Sequence, residues 1–311
     1  MKVAIIGAGG VGGYFGGKLA SAGIDVTFVA RGEHYNAIKN SGLLVKSING
    51  DFKIDNVQIV DAAKKLASPE LIILAVKAWQ IKEIVPDLKS VITENSIILP
   101  LENGISITEE LGEQIPMNNI IGGLCRIISK IESPGVINHI GIEPYILFNE
   151  LNNYKSDRIL RIKELLDAAG IKNRIPFDIN AELWKKFISI CVSGFLALTR
   201  STYGEVRELK ETRQTMSDLM KEIIALSQEV GIKLEPDFLD KSMAFIDSFP
   251  HGSTSSLTRD VWEGKPSEIE YQNGYVSKLG KRLGIPTPIN TLVYNCILPM
   301  ERRARRKGNM F

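Results

Sequence analysis

Val3-Ala4-Ile5-Ile6-Gly7-Ala8-Gly9-Gly10-Val11-Gly12 is the stretch on which the reading of this chain turns. Four apolar residues run straight into a G-x-G-x-x-G, and a helical pattern follows from about residue 11 to 21. Strand, glycine turn and helix in that order make an anion cradle. The first glycine allows the sharp turn, the second lets a pyrophosphate approach the backbone, and the third lets helix pack closely on strand. The helix start, through Gly10 and Val11, adds unpaired N–H groups and the positive end of its dipole. In isolation the pattern is only a glycine-rich turn; between a strand and a helix it points to a dinucleotide.

The next strand, Val26-Thr27-Phe28-Val29, ends in Ala30-Arg31-Gly32. A site that prefers NAD places an acidic residue there for the ribose 2′-hydroxyl, whereas arginine clasps a 2′-phosphate. Arg31 therefore points to NADPH. Runs at 71–76 and 97–99 are apolar at nearly every position, as strands covered by helices on both faces require. The first half thus reads as β-α-β units building a parallel, doubly wound sheet. Around 42–59 and 120–148 the pattern is that of hairpins, with turns at Asn49-Gly50-Asp51 and Ser133-Pro134-Gly135.

Beyond about residue 155 the 3.6 period dominates, at 181–198, 213–230, 236–249 and 267–283. Proline punctuation at Pro176-Phe177-Asp178, with Asn180 as a cap, sets the expected boundary. The expected domains are 1–177, nucleotide-binding, and 178–311, all-helical. With 311 residues, 44% of them hydrophobic, the chain can fill two cores. Lys plus Arg (38) nearly cancels Asp plus Glu (36), leaving no electrostatic reason for a nucleic-acid or membrane partner. No apolar run approaches the ~20 residues of a membrane span, and Met1-Lys2 leads into a strand, so neither anchor nor signal peptide is expected. Cys125, Cys191 and Cys296 lie far apart, which argues against a disulfide framework or structural zinc and fits the cytoplasm. His34, His139 and His251 lack ligand spacing, so no metal is expected. The basic stretch 301–307 reads as a solvated helix end, where positive side chains are favourable on dipole grounds alone.

Further motifs carry a resemblance over nearly the whole chain. They are Val76-Lys77-Ala78-Trp79-Gln80, Glu102-Asn103-Gly104, Trp184-Lys185-Lys186-Phe187, Ser255-Ser256-Leu257-Thr258-Arg259-Asp260 and Glu268-Ile269-Glu270-Tyr271-Gln272-Asn273-Gly274. Together with the glycine start and Ala-Arg-Gly, their order and spacing resemble the ketopantoate reductases (2-dehydropantoate 2-reductases). The resemblance implies a Rossmann-type domain, a helical domain, and a 2-keto acid in the cleft between them. It implies hydride from NADPH and a proton from Lys186, with Glu268 binding substrate and holding the lysine. It makes Asn103 and Ser256 substrate-binding groups, and places Lys77, Gln80 and Asn103 beside the coenzyme. The implied role is ketopantoate reduction in pantothenate and coenzyme A synthesis, with a homodimer compatible with the helical half.

The residue types suit that chemistry. Hydride addition builds negative charge on the carbonyl oxygen, where an ammonium both stabilises it and gives up its proton. Lys186, Ser189, Ile190 and Ser193 share one helix face, a polar strip in an otherwise apolar helix, so Ser189 and Ser193 join the substrate candidates. The plain alternative is that these serines bond back to the preceding turn. One departure stands out: the reductases carry an asparagine one turn after the lysine, and here it is Ile190. A paralogue acting on another branched 2-keto acid and a silent NADP-binding sensor are the alternatives; a sensor would bind NADPH but oxidise none of it.

Overall fold

The computed structural model describes the backbone of residues 1–308 and the side chains of residues 1–306. Two compact units emerge: Met1–Glu102 with Ile107–Glu182, and Asn103–Ser106 with residues from Leu183 onward.

The first unit runs β1 (Val3–Ile6), α1 (Gly10–Ser21), β2 (Val26–Val29), α2 (Gly32–Ser41), β3 (Leu43–Ser47), β4 (Phe52–Ile54), β5 (Gln58–Val60), β6 (Leu71–Leu74), α3 (Ile81–Lys89), β7 (Ile97–Pro100), α4 (Ile107–Gly112), β8 (Gly122–Ser133), β9 (Val136–Asn149), α5 (Asp157–Ala168) and β10 (Lys172–Arg174). One sheet is wholly parallel, in the order β5-β2-β1-β6-β7. Every residue of β1, β6 and β7 is buried, which is why these strands read as unbroken apolar runs. The chain moves outward from β1 through β2 to β5, then returns to place β6 on the other side of β1. That reversal is the switch point at whose carboxyl ends such sheets bind ligands.

The expected hairpins form a second sheet, β10-β9-β3-β4, with β8 running antiparallel along β9. Helix α1 lies against both sheets, and its glycines explain how. A Cβ on Gly16 would stand 2.6 Å from Phe28 and 2.7 Å from Ile5 of the parallel sheet, whereas one on Gly13 would stand 2.7 Å from Ile137 of the other. Gly12 and Gly16 form one i, i+4 row and Gly13 and Gly17 the next, so two faces of α1 are bare enough for close approach.

The second unit is helical. Helix α6 (Ile179–Thr199) begins at the end of the first unit's sequence and supplies the spine of the second. It is followed by α7 (Tyr203–Glu208), α8 (Lys210–Glu229), α9 (Phe238–Asp247), α10 (Ser256–Trp262), α11 (Asn273–Leu283) and α12 (Pro288–Gly308). Phe187, Ile188, Val192 and Leu196 of α6 share a core with Leu219 and Ile223 of α8, Val276 of α11 and Ile297 of α12. Among the described residues, no helix is long and apolar enough to cross a membrane.

Two local readings are corrected. The cap of α6 is Asp178, whose carboxylate accepts from the N–H groups of Asn180 (2.9 Å) and Ala181 (3.1 Å), because the helix starts two residues earlier than its apolar period suggests. The segment 267–283 is not one helix: a single turn at Ile269–Tyr271 breaks at Gln272 (φ −112°, ψ −106°) before α11 begins. The break turns the Asn273 side chain into the core, where its amide donates to the Cys191 carbonyl (3.0 Å) and to Asn290 (2.9 Å).

Candidate functional site

In the first unit the three glycines of the turn do three different things. Gly7 has φ +96°, a conformation L side chains resist. Gly9 has open space where a Cβ would stand, while a Cβ on Gly12 would lie 2.0 Å from the Gly7 carbonyl and 2.8 Å from Ile5. The turn, the opening and the close helix–strand contact are thus divided among positions 7, 9 and 12. Among the described residues the N–H groups of Gly9, Gly10 and Val11 have no protein acceptor. They are the orphan donors of a helix start, and with the open face at Gly9 they fit a pyrophosphate.

Arg31 stands two residues beyond β2 in an extended conformation just before α2; its carbonyl accepts from the Tyr35 N–H (3.3 Å), while its exposed side chain has no hydrogen bond or ion pair among the described residues. Its guanidinium is therefore available to an anion beside the glycine turn's strand. Across the switch point, the turn after β6 is closed by Gln80, whose side-chain oxygen accepts from the Lys77 N–H (3.1 Å) while its own N–H donates to the Lys77 carbonyl (2.8 Å). The buried Glu102 carboxylate accepts from the Val76 N–H (3.2 Å) and ties this turn to the end of β7.

Asn103 groups with the helical unit, where its amide donates to the Glu268 carboxylate at 3.1 Å. Glu268 is only 4% exposed, so it is no solvated surface acid. The residue before it is clamped: both the N–H (2.9 Å) and the hydroxyl (2.6 Å) of Ser267 donate to Glu301, itself buried and paired with Arg305 at 2.7 Å. Glu301 and Arg305 belong to the basic stretch that reads as a solvated helix end; Arg302, Arg303 and Arg306 are exposed, and the Lys307 side chain lies outside the described residues. Glu301 went unnoticed in the sequence because only tertiary contact distinguishes it from its charged neighbours.

Lys186 is half-buried on α6, and so are Ser189 and Ile190, one turn along the same face. Ser193 is buried, and the Ser189 hydroxyl donates to the Lys185 carbonyl at 3.1 Å, the back-bond that needs no ligand. Lys185 is drawn to Glu235 at 2.6 Å. Helix α6 also anchors the other motif segments. Thr258 donates to the Ser193 carbonyl (3.0 Å), fixing α10, and Asn273 bonds the Cys191 carbonyl (3.0 Å), fixing the segment that follows Glu268. Ser256 is the exposed first residue of α10, whose cap is Ser255, accepting from the Thr258 N–H at 3.0 Å.

Comparison with known proteins adds to this geometry. Residues 3–153 match the family model described as ketopantoate reductase PanE/ApbA, and residues 178–301 match the model of its C-terminal part. The 2-dehydropantoate 2-reductase of Nostoc sp. is 28% identical over 311 residues, covering 98% of this chain and 96% of its own length. The uncharacterised oxidoreductase YkpB of Bacillus subtilis is 29% identical over 295 residues, covering 94% of this chain and 97% of its own. Among solved structures, the PanE/ApbA family ketopantoate reductase from Ralstonia eutropha JMP134 superposes with a TM-score of 0.90 at 26% identity, covering 98% of this chain and 100% of that one.

Proposed function

The chain belongs to the ketopantoate reductase PanE/ApbA family, and on that premise we propose that it is an NADPH-dependent reductase converting 2-dehydropantoate to pantoate for pantothenate synthesis. Bound NADPH supplies the hydride. The free N–H groups of Gly9, Gly10 and Val11 receive its pyrophosphate, and Arg31 receives the 2′-phosphate. Lys77 and Gln80 form the neighbouring turn on the coenzyme side.

Lys186 stabilises the growing negative charge on the substrate oxygen and then transfers its proton there. Glu268 binds the substrate and holds the lysine ammonium, with Asn103 orienting the carboxylate through the amide bond at 3.1 Å. Ser256, free of the capping duty that Ser255 performs, contributes a hydroxyl to the substrate carboxylate. The observation that carries the reading is the burial of Glu268 on an amide partner in the unit whose central helix bears Lys186. A buried carboxylate is costly unless it serves a cation or a donor.

A second reading concerns the substrate. Ile190 is half-buried one turn after Lys186 and presents a branched alkyl group on that face, which favours a more apolar branched 2-keto acid. Both readings meet in one assay, NADPH oxidation followed by absorbance with ketopantoate and a panel of branched 2-keto acids. Turnover of ketopantoate above all others supports the first. A preference for an apolar homologue, with Ile190→Asn raising ketopantoate turnover, supports the second. Oxidation with none of them removes both.

A further inference from the structure

We propose that His34 is a positioning residue for the coenzyme pyrophosphate, acting through the carbonyl of Ala8; this rests on reading the glycine turn as the dinucleotide site. The Gly135 N–H, in the turn between β8 and β9, donates to His34 Nδ1 at 3.1 Å. That nitrogen therefore carries no proton, and the ring proton sits on Nε2, 2.8 Å from the Ala8 carbonyl, which can only accept.

The consequence follows from the geometry of a trans peptide. In each planar unit the carbonyl of one residue and the N–H of the next point in opposite directions. The three carbonyls of the turn are all engaged: Ala8 by His34, Gly9 by the Gly13 N–H (2.7 Å), and Gly10 by the Ser129 hydroxyl (2.9 Å). Holding these three oxygens on donors turns the following N–H groups, those of Gly9, Gly10 and Val11, the other way. Among the described residues all three lack a protein acceptor. The middle bond belongs to α1 itself; the outer two are imported from α2 and from β8. His34 thus aims the Gly9 N–H and Ser129 the Val11 N–H, and both keep carbonyl dipoles from facing an incoming dianion.

The test measures binding of NADPH, NADH and adenosine 2′-monophosphate, the last of which has no pyrophosphate, to the full-length protein and its variants. In His34→Leu the dissociation constants of NADPH and NADH rise by the same factor, about tenfold, while that of adenosine 2′-monophosphate stays within about twofold. His34→Gln, whose amide offers one donor and one acceptor, recovers dinucleotide affinity to within about threefold of wild type. Ser129→Ala, the milder change, weakens both dinucleotides about threefold and serves should the leucine variant fail to fold. Unchanged dinucleotide binding in both His34→Leu and Ser129→Ala overturns the proposal, as does a glutamine variant no better than leucine. Equal loss of adenosine 2′-monophosphate does the same, since a general loosening of the fold spares no ligand. If wild type itself binds neither dinucleotide, the reading of the turn as a dinucleotide site fails, and this inference with it.

Discussion

Replacing Gly9 and Gly12 by alanine, one at a time, separates what the glycine turn does for the fold from what it does for a ligand. Gly9 has φ −73° and ψ −161°, which any L residue adopts, and nothing stands within 4 Å of the added Cβ. Gly9→Ala therefore folds as well as wild type, or gains about 0.4–1 kcal/mol from a stiffer unfolded chain. At Gly12 the Cβ would lie 2.0 Å from the Gly7 carbonyl, against the 3.4 Å at which ordinary contact begins. That neighbour is backbone and cannot swing aside, so the overpacking cost sits at the upper end, about 3 kcal/mol. A helix-propensity gain of about 1 kcal/mol offsets part of it, leaving a net loss of about 2 kcal/mol. Binding reverses the order. The Gly9 methyl occupies the face that a pyrophosphate approaches and removes one charge-assisted bond, so the NADPH dissociation constant rises about 10- to 100-fold. Urea unfolding followed by circular dichroism, with NADPH fluorescence titration on the same samples, checks both halves. Undiminished NADPH binding by Gly9→Ala, or greater destabilisation at Gly9 than at Gly12, refutes the division of roles.

Arg31→Ala raises the Michaelis constant for NADPH at least about tenfold and leaves that for NADH nearly unchanged, since only the former carries the 2′-phosphate; parallel kinetics with the two coenzymes decide. Asn103→Leu strips the buried Glu268 carboxylate of its amide donor and lowers stability by about 1.5–3 kcal/mol. Asn103→Asp lowers it further at neutral pH and recovers on acidification as one of the two carboxylates takes a proton, a dependence that unfolding at several pH values reads directly. Burial pushes the Glu150 carboxyl up, but the forked bonds from Arg158 (2.6 Å) and the Ser156 hydroxyl (2.5 Å) outweigh it and hold the group below its usual range. Its stabilising contribution is thus present above the unfolded value of about 4.3 and lost as pH falls through the lower folded one. Arg158→Leu accordingly costs about 2–3 kcal/mol at pH ~7, and the gap to wild type narrows in acid; a gap independent of pH would count against this pair.

Much of the parallel sheet is legible in the sequence because its strands are covered on both faces. Val3–Ile6 and Val26–Val29 coincide with the observed strands, and the runs at 71–76 and 97–99 differ from theirs by one or two residues. A strand apolar at every position needs no knowledge of its neighbours to be recognised. The glycine rows of α1 are different: residues 13 and 17 make sense only once the second sheet lies against them. The break at Gln272 is equally hidden, because the pull on Asn273 comes from a carbonyl 82 positions earlier in the chain. Chemistry was legible where a motif carries it locally, as in the glycine turn and Arg31. It was not where a role depends on partners far along the sequence. His34 lacks the spacing of a metal ligand and offers the sequence no other role until Gly135 and Ala8 stand on either side of it, and Glu301 is one more charge in a basic tail until Ser267 rests on it.

The proton donor is the centre of this account, and single-turnover NADPH oxidation by Lys186→Ala with the best 2-keto acid, at saturating coenzyme, tests it most directly. The account predicts unchanged NADPH binding with a hydride-transfer rate at least about 100-fold below wild type, consistent with the loss of a positioned general acid. A rate within a few-fold of wild type would contradict it.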